Sequence, residues 1–258
     1  MSDLAVTKTV QVVRVSKTEV RVVVQAGTGG GSSLPAYADE QYAVLMEDPA
    51  STGKFQRLKS FMIAPDFSVT LSGGGTVEVG ATVSTPAFTA SYVDGPPDTA
   101  TLTDTESHSQ DVSSTPTSFS SSSNFTKTTN NASVTFTLTA DKGSESDTSQ
   151  VSYAWRPRAF WGVGSGVDTE AEVEALASSG LVASRAATFT VSPGAGQYIY
   201  YAYPASYGAA TFTVGGFEGG FDLVSATLSI TNANGVTQDY RLYKSTNANL
   251  GSTTVTVS

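Results

Sequence analysis

Between Ser133 and Ala140, apolar and hydroxyl side chains alternate without interruption. Val134, Phe136 and Leu138 fall on one side, and Ser133, Thr135, Thr137 and Thr139 on the other. Successive side chains of a strand point to opposite faces, so this segment can bury one face and wet the other only as a β-strand. The same period, or a short apolar run bounded by turn residues, recurs along the chain. It marks strands at Thr9–Val15, Thr18–Val24, Gln41–Met46, Phe55–Ile63, Phe67–Leu71, Thr76–Val79, Ala87–Tyr92, Thr99–Thr103 and Ser149–Trp155. In the last third it marks Ala187–Val191, Gln197–Tyr203, Thr211–Val214, Leu223–Thr231, Val236–Tyr243 and Thr253–Val257. Asn232-Ala233-Asn234-Gly235 joins two of these as a tight hairpin, with Asn-Gly supplying the positive-φ positions. The fold class is all-β.

One segment reads as a helix. Thr169 and Glu172 have capping-box spacing, Glu170 and Glu172 suit the positive end of the helix dipole, and Gly180 would close the helix as its C′ residue. A short helix is therefore expected near 169–179. The punctuation divides the 258 residues into a small N-terminal β module (1–63), an immunoglobulin-like β-sandwich (64–158), a linker with the short helix (159–186) and a C-terminal β-sandwich (187–258). Gly27–Ser33 and Asp48–Gly53 read as loops inside the first module. Ser107–Asn131, with four consecutive serines at 120–123, reads as a solvated loop or irregular edge strand; an O-linked sugar site or binding loop is the competing reading.

Composition narrows the function. Net charge is −9, so nothing draws the chain as a whole to nucleic acid or to anionic lipid. Cysteine is absent, which removes disulfides, thiolate metal sites and thiol nucleophiles. No apolar run reaches the ~18–20 residues of a membrane span. His108, the single histidine, lies in a polar tract. Most hydrolase triads and zinc sites need a well-placed histidine, so no enzymatic centre, metal or cofactor is expected. Ser and Thr together form roughly a quarter of the chain and charged residues only 14%, a surface suited to exposure outside a cell. The first residues, Met1-Ser2-Asp3-Leu4-Ala5-Val6, lack a basic and then apolar signal pattern. A component released by lysis satisfies both observations, and export without an N-terminal signal is the competing explanation.

Four constellations are weighed for chemistry. Asp94, Asp98, Asp104, Glu106 and Asp111 lie close in sequence, but without a calcium-loop pattern they read as solvated loop charges. Glu170, Glu172 and Glu174 sit two apart on the expected helix and point in different directions, so they form no paired-carboxylate site. Gly215-Gly216-Phe217-Glu218-Gly219-Gly220-Phe221 lacks the ending of a phosphate loop. In Gln197–Pro204, alternation puts Tyr198 and Tyr200 on one face and Ile199, Tyr201 and Tyr203 on the other. The favoured reading is a core strand packed on Phe212, Phe217 and Phe221. The competing one makes Tyr198, Tyr200, Tyr201 and Tyr203 a surface or interface patch for a partner or a stacked sugar.

Ala159-Phe160-Trp161-Gly162-Val163-Gly164, Tyr198–Pro204, Ala210–Phe217 and Gly235–Ser245 together resemble C-terminal regions of tailed-bacteriophage virion structural proteins, of the tail-fibre, baseplate and neck-attached fibre type. Val77–Gly80, Pro86–Tyr92 and Thr135–Gly143 are similar to the immunoglobulin-like modules of such proteins. The resemblance runs from about Phe67 to the C-terminus. It implies a non-enzymatic structural component of the virion tail, neck or fibre, assembled as a homotrimer, contacting other tail, neck or capsid proteins, and in contact with a host-surface glycan or protein. It implies no catalytic residues and no cofactor. Residues 1–63, outside the resemblance, are the expected attachment module. The alternative class is a non-viral extracellular adhesin or carbohydrate-binding β-sandwich protein.

Overall fold

A computed structural model describes residues 11–15, 18–22 and 66–258. The chain divides into two compact units, Met1–Asp66 and Phe67–Ser258. In the first, β1 (Gln11–Val15) and β2 (Thr18–Val22) pair antiparallel, from Gln11 opposite Val22 to Val15 opposite Thr18. The strands expected at Gln41–Met46 and Phe55–Ile63, and the loops at Gly27–Ser33 and Asp48–Gly53, lie outside the described residues.

The second unit opens with an immunoglobulin-like β-sandwich. Its strands are β3 (Ser68–Ser72), β4 (Gly75–Glu78), β5 (Thr82–Val83), β6 (Ala87–Val93), β7 (Thr99–Asp104), β8 (Ser109–Asp111), β9 (Ser118–Ser120), β10 (Phe125–Thr126), β11 (Ser133–Lys142) and β12 (Glu145–Arg156). One sheet runs β4-β12-β11-β7-β8, with β4 parallel to β12; β3-β6-β9 form the other sheet, and β5-β10 a two-stranded ribbon. Alternation places Val134, Phe136, Leu138 and Ala140 of β11 in the core, all at most 1% exposed. They meet Leu102, Phe88, Phe119, Phe125 and Trp155 there. Trp155 is fully buried, and its indole N–H donates to the Ala81 carbonyl at 2.8 Å. The serine-rich tract is ordered around three apolar anchors. Val112, Phe119 and Phe125 are buried and pull β8, β9 and β10 onto the sandwich, while most of the hydroxyls between them face outward and Ser121 is buried with them.

The two sheets are also tied at one edge through side chains. Phe67, Val69 and Leu71 direct their N–H groups away from β6, and these donate to Glu145 Oε2 (2.8 Å), Asp147 Oδ2 (2.8 Å) and Ser149 Oγ (2.9 Å) of β12. Both strands have a period of two, so three alternate donors meet three alternate acceptors. Backbone groups at a sheet edge thereby find partners without a neighbouring strand.

The second sandwich contains β13 (Arg158–Gly164), α1 (Glu170–Glu174), β14 (Ser178–Leu181), β15 (Ala187–Val191), β16 (Tyr198–Pro204), a 3₁₀ turn (Ala205–Tyr207), β17 (Phe212–Val214), β18 (Phe217–Glu218), β19 (Phe221–Thr231), β20 (Thr237–Ser245) and β21 (Thr253–Val257). Its sheets run β14-β13-β16-β20-β19 and β15-β21-β17-β18, antiparallel throughout. Ile199, Tyr201 and Tyr203 pack between the sheets with Phe189, Phe212, Tyr243 and Val255. Tyr200 and Ala202 face the other way, under Val167, Val173 and Leu176 of the α1 region. The central strand β16 is thus covered on both sides, while the edge strand β19 stays largely exposed.

Residues 159–186 depart from the expected linker and long helix. Arg158–Gly164 is an inner strand of the larger sheet, and the helix ends at Glu174 with Ala175 as C-cap. Ser178–Leu181 pairs with β13 instead, Ala159 opposite Gly180. Ser-Ser-Gly is a poor helix-forming run, and its strand pairing with Arg158–Trp161 outweighs two more helical turns. Gly180 is no helix cap. It lies in β14 beside the Trp161 ring, which a Cβ would meet at 3.4 Å, an ordinary contact.

Candidate functional site

The two sandwiches of the second unit are separated in sequence by Pro157 alone, between β12 and β13. Three sets of polar contacts build the joint around it. Arg158 pairs with Glu78 of β4 at 3.2 Å and donates to Ser179 Oγ, while its carbonyl accepts the Tyr240 hydroxyl at 2.8 Å. Asn131 has φ of 62°, a left-handed conformation that Asn tolerates better than most residues. From there its Nδ2 donates to the Ala183 carbonyl, and its Oδ1 faces Arg156 Nη1 at 2.9 Å and the Tyr207 hydroxyl at 3.1 Å. Finally, the β19–β20 hairpin tip docks on the first sandwich. Asn232 and Asn234 both donate side-chain N–H to the Val79 carbonyl, at 2.8 and 3.2 Å, and Val236 joins that sandwich's core. The tip is shaped by its own bonds: Asn232 Oδ1 accepts the N–H groups of Asn234 and Val236, and Gly235 has φ of 78°.

Beside this joint runs an open groove of about 770 Å³ lined by Thr128, Thr129, Asn130, Asn131, Ala205, Ser206, Tyr207, Gln238 and Asp239. Asn130 spans it, donating to Ser206 Oγ at 3.2 Å and accepting from Gln238 Nε2 at 2.7 Å. Gln238 Oε1 is buried without a donor. A second void, of about 10 Å³ beside His108, is no larger than a single water site.

Of the tyrosines singled out in sequence, Tyr200, Tyr201 and Tyr203 are at most 2% exposed, so they form no surface patch. Tyr198 is half-buried, with Lys244 Nζ 4.3 Å above its ring. Burial pushes the phenols of Tyr201, Tyr203 and Tyr240 well above their ordinary range. They stay protonated and donate to the carbonyls of Arg185, Gly208 and Arg158. Phe217 is not among the core rings. It is 81% exposed at the β17–β18 hairpin, where short strands bracketed by glycine pairs carry it clear of the sheet, while Phe221 stacks on Phe212 at 4.2 Å.

The acidic residues of the first sandwich do not converge. Asp94 pairs with Lys142 at 3.0 Å, Asp98 accepts from Gly143 N–H, and Glu106 pairs with Lys127 at 2.8 Å. Asp104 holds the backbone of Glu106 and His108 and faces the His108 ring at 3.0 Å, and Asp111 caps Ser113. Asp104 and Asp111 tie down their own loops, while Asp94, Asp98 and Glu106 fasten theirs to neighbouring segments. Glu172 accepts from the backbone N–H groups of Asp168 and Thr169 and from the Thr169 hydroxyl, which pulls its pKa down to about 2. Glu170 accepts the Thr231 N–H and so fastens the helix to β19.

Asn130, Asn131, Glu78, Arg158 and Gln238 were not singled out in sequence. The signal for Asn131 was present, an Asn-Asn pair directly before a well-patterned strand, but its partners lie 25 to 76 residues away.

No protein-family model matches the chain. No curated protein matches it either. Among solved structures it is similar to the N-terminal eight immunoglobulin domains of Down Syndrome Cell Adhesion Molecule isoform 1.30.30, at 10% identity and a TM-score of 0.24. The match covers 72% of this chain, which spans 23% of that one.

Proposed function

We propose that this chain is a non-enzymatic structural component of a tailed-phage virion, a fibre, collar or baseplate protein that assembles as a homotrimer and contributes to host-surface attachment. One observation supports it above the others: the joint at Pro157. Polar side chains from both sandwiches bond across it, through Glu78–Arg158, Asn131–Tyr207 and the Asn232 and Asn234 tip, within one compact unit. A tail component must keep its parts in register along its length, and a joint bonded from both sides suits that need. The sequence resemblance over Phe67 to the C-terminus points the same way. Exposed Phe217, Leu223 and Val224 offer apolar surface for contact between copies. Residues 1–63 are assigned the attachment to neighbouring tail, neck or capsid proteins.

The test is immunogold labelling of purified particles with an antibody to Phe67–Ser258, alongside native mass spectrometry of the isolated chain. Label at the tail, neck or fibre and a mass three times 26.7 kDa are expected. Particles that carry no label while the chain stays free in the lysate would overturn the virion reading, and a monomeric mass would overturn the trimer.

A further inference from the structure

The groove at the joint combines a set of groups that selects one ligand chemistry. Its walls present the amides of Asn130 and Gln238, the hydroxyls of Thr129 and Ser206, and the carboxylate of Asp239. No lysine or arginine lines it. Asp239 is the one charged side chain of the lining and disfavours phosphate, sulfate and acidic sugars, although Arg156 stands behind Asn131. An apolar ligand would strip water from the amides and leave them unpaired. Vicinal hydroxyls, each both donor and acceptor, match carboxylate, amide and hydroxyl partners without leaving a group unpaired. Tyr207 packs its ring on the core of the second sandwich, so recognition in the groove rests on its amides, hydroxyls and carboxylate.

We infer that this groove is a binding site for a neutral saccharide. Its volume of about 770 Å³ lies within the range of small-molecule sites, and its place between two sandwiches is a common one for them. The walls are held before any ligand arrives, because Asn130 bonds Ser206 and Gln238 across the groove. Pre-organised walls lower the entropy lost on binding. Gln238 commits its Nε2 to Asn130 and leaves its Oε1 as an unpaired acceptor in the wall. Asp239 is exposed on β20 and carries the strongest acceptor in the set. The inference goes beyond the virion reading and does not depend on it, since saccharide binding is measured on the isolated chain and particle incorporation is not.

The experiment is a titration of the ¹⁵N-labelled full chain with the methyl glycosides of glucose, galactose, mannose and N-acetylglucosamine, and with N-acetylneuraminic acid as the anionic control. At least one neutral glycoside is expected to shift the side-chain amides of Asn130 and Gln238 saturably, with a Kd on the order of 1 mM. Asp239→Ala removes an exposed group outside the joint bonds, so it should melt with the parent. It should weaken that binding by about fivefold or more, the loss of one charge-assisted hydrogen bond. The inference fails if no neutral glycoside shifts these amides up to ~50 mM, far above a millimolar Kd. It fails equally if the anionic sugar binds more tightly than the neutral ones, or if binding is unchanged in Asp239→Ala.

Discussion

Gly80 sits where the hairpin tip of the second sandwich meets the first, and replacing it with alanine tests the joint directly. Its φ is +84°, and a Cβ would stand 2.5 Å from Val236 Cγ2 and 2.9 Å from Asn234 Cβ. Two penalties follow. Left-handed backbone costs an L-residue roughly 1–2 kcal/mol. Forcing a methyl into a filled contact costs roughly 1–3 kcal/mol, because the tip must retreat and stretch the two amide bonds to the Val79 carbonyl. Gly80→Ala should therefore destabilise the Phe67–Ser258 unit by roughly 2–5 kcal/mol, which at this size lowers Tm by about 2–4 °C per kcal/mol. Val236→Ala alone trims a half-buried side chain and should cost about 1 kcal/mol. Combined, the two should be less than additive by about 1–2 kcal/mol, since Val236→Ala removes the atom nearest the new methyl while the backbone strain remains. Urea denaturation of the four chains followed by circular dichroism gives the cycle. Strict additivity, or a Gly80→Ala loss under about 1 kcal/mol, would show that the tip does not press on Gly80 and that the joint is looser than described.

Asn131→Ala should lose about 2–3 kcal/mol in the same urea assay, from left-handed strain and three exposed side-chain bonds, whereas Asn131→Gly should lose only the bonds; equal losses would remove strain from the account. Asp147→Ala leaves the Val69 N–H unpaired in a part-buried place and should cost about 1–3 kcal/mol by thermal melting, more than Thr148→Ala beside it. Glu172 has a folded pKa of about 2 against an ordinary 4.5, so its contribution to stability is present above the unfolded value and drains away as pH falls from about 4.5 through about 2. Glu172→Gln should flatten that part of the acid stability profile, and an unchanged slope would show that the carboxylate is not held by Asp168 and Thr169.

Period-two alternation was enough to place most strands, because a half-buried strand writes its geometry into neighbouring residues. Ser133–Lys142, Ala187–Val191 and Thr253–Val257 were legible for that reason. Arg158–Gly164 was hidden because it is buried on both faces, and a strand without a wet face has no alternation to show. The helix was found by its capping residues and overrun at its end, since Ser178–Leu181 follows a long-range pairing and no local rule. The tyrosine run was correctly divided into two faces, yet only the covering by Val173 and Leu176 shows that both are interior. The groove was beyond sequence reasoning. Its walls come from residues 128–131, 205–207 and 238–239, joined by the geometry of the joint rather than by any spacing.

The seam between β3 and β12 bears on what the molecule refuses to do. An outer strand ordinarily offers a row of free N–H groups, a template on which a strand from another molecule can grow. Along β3 the positions at Phe67, Val69 and Leu71 are already filled by Glu145, Asp147 and Ser149 of the same chain. The side is closed to strand addition without a proline, a bulge or an extra element. At this edge the seam shuts one route to open-ended sheet growth.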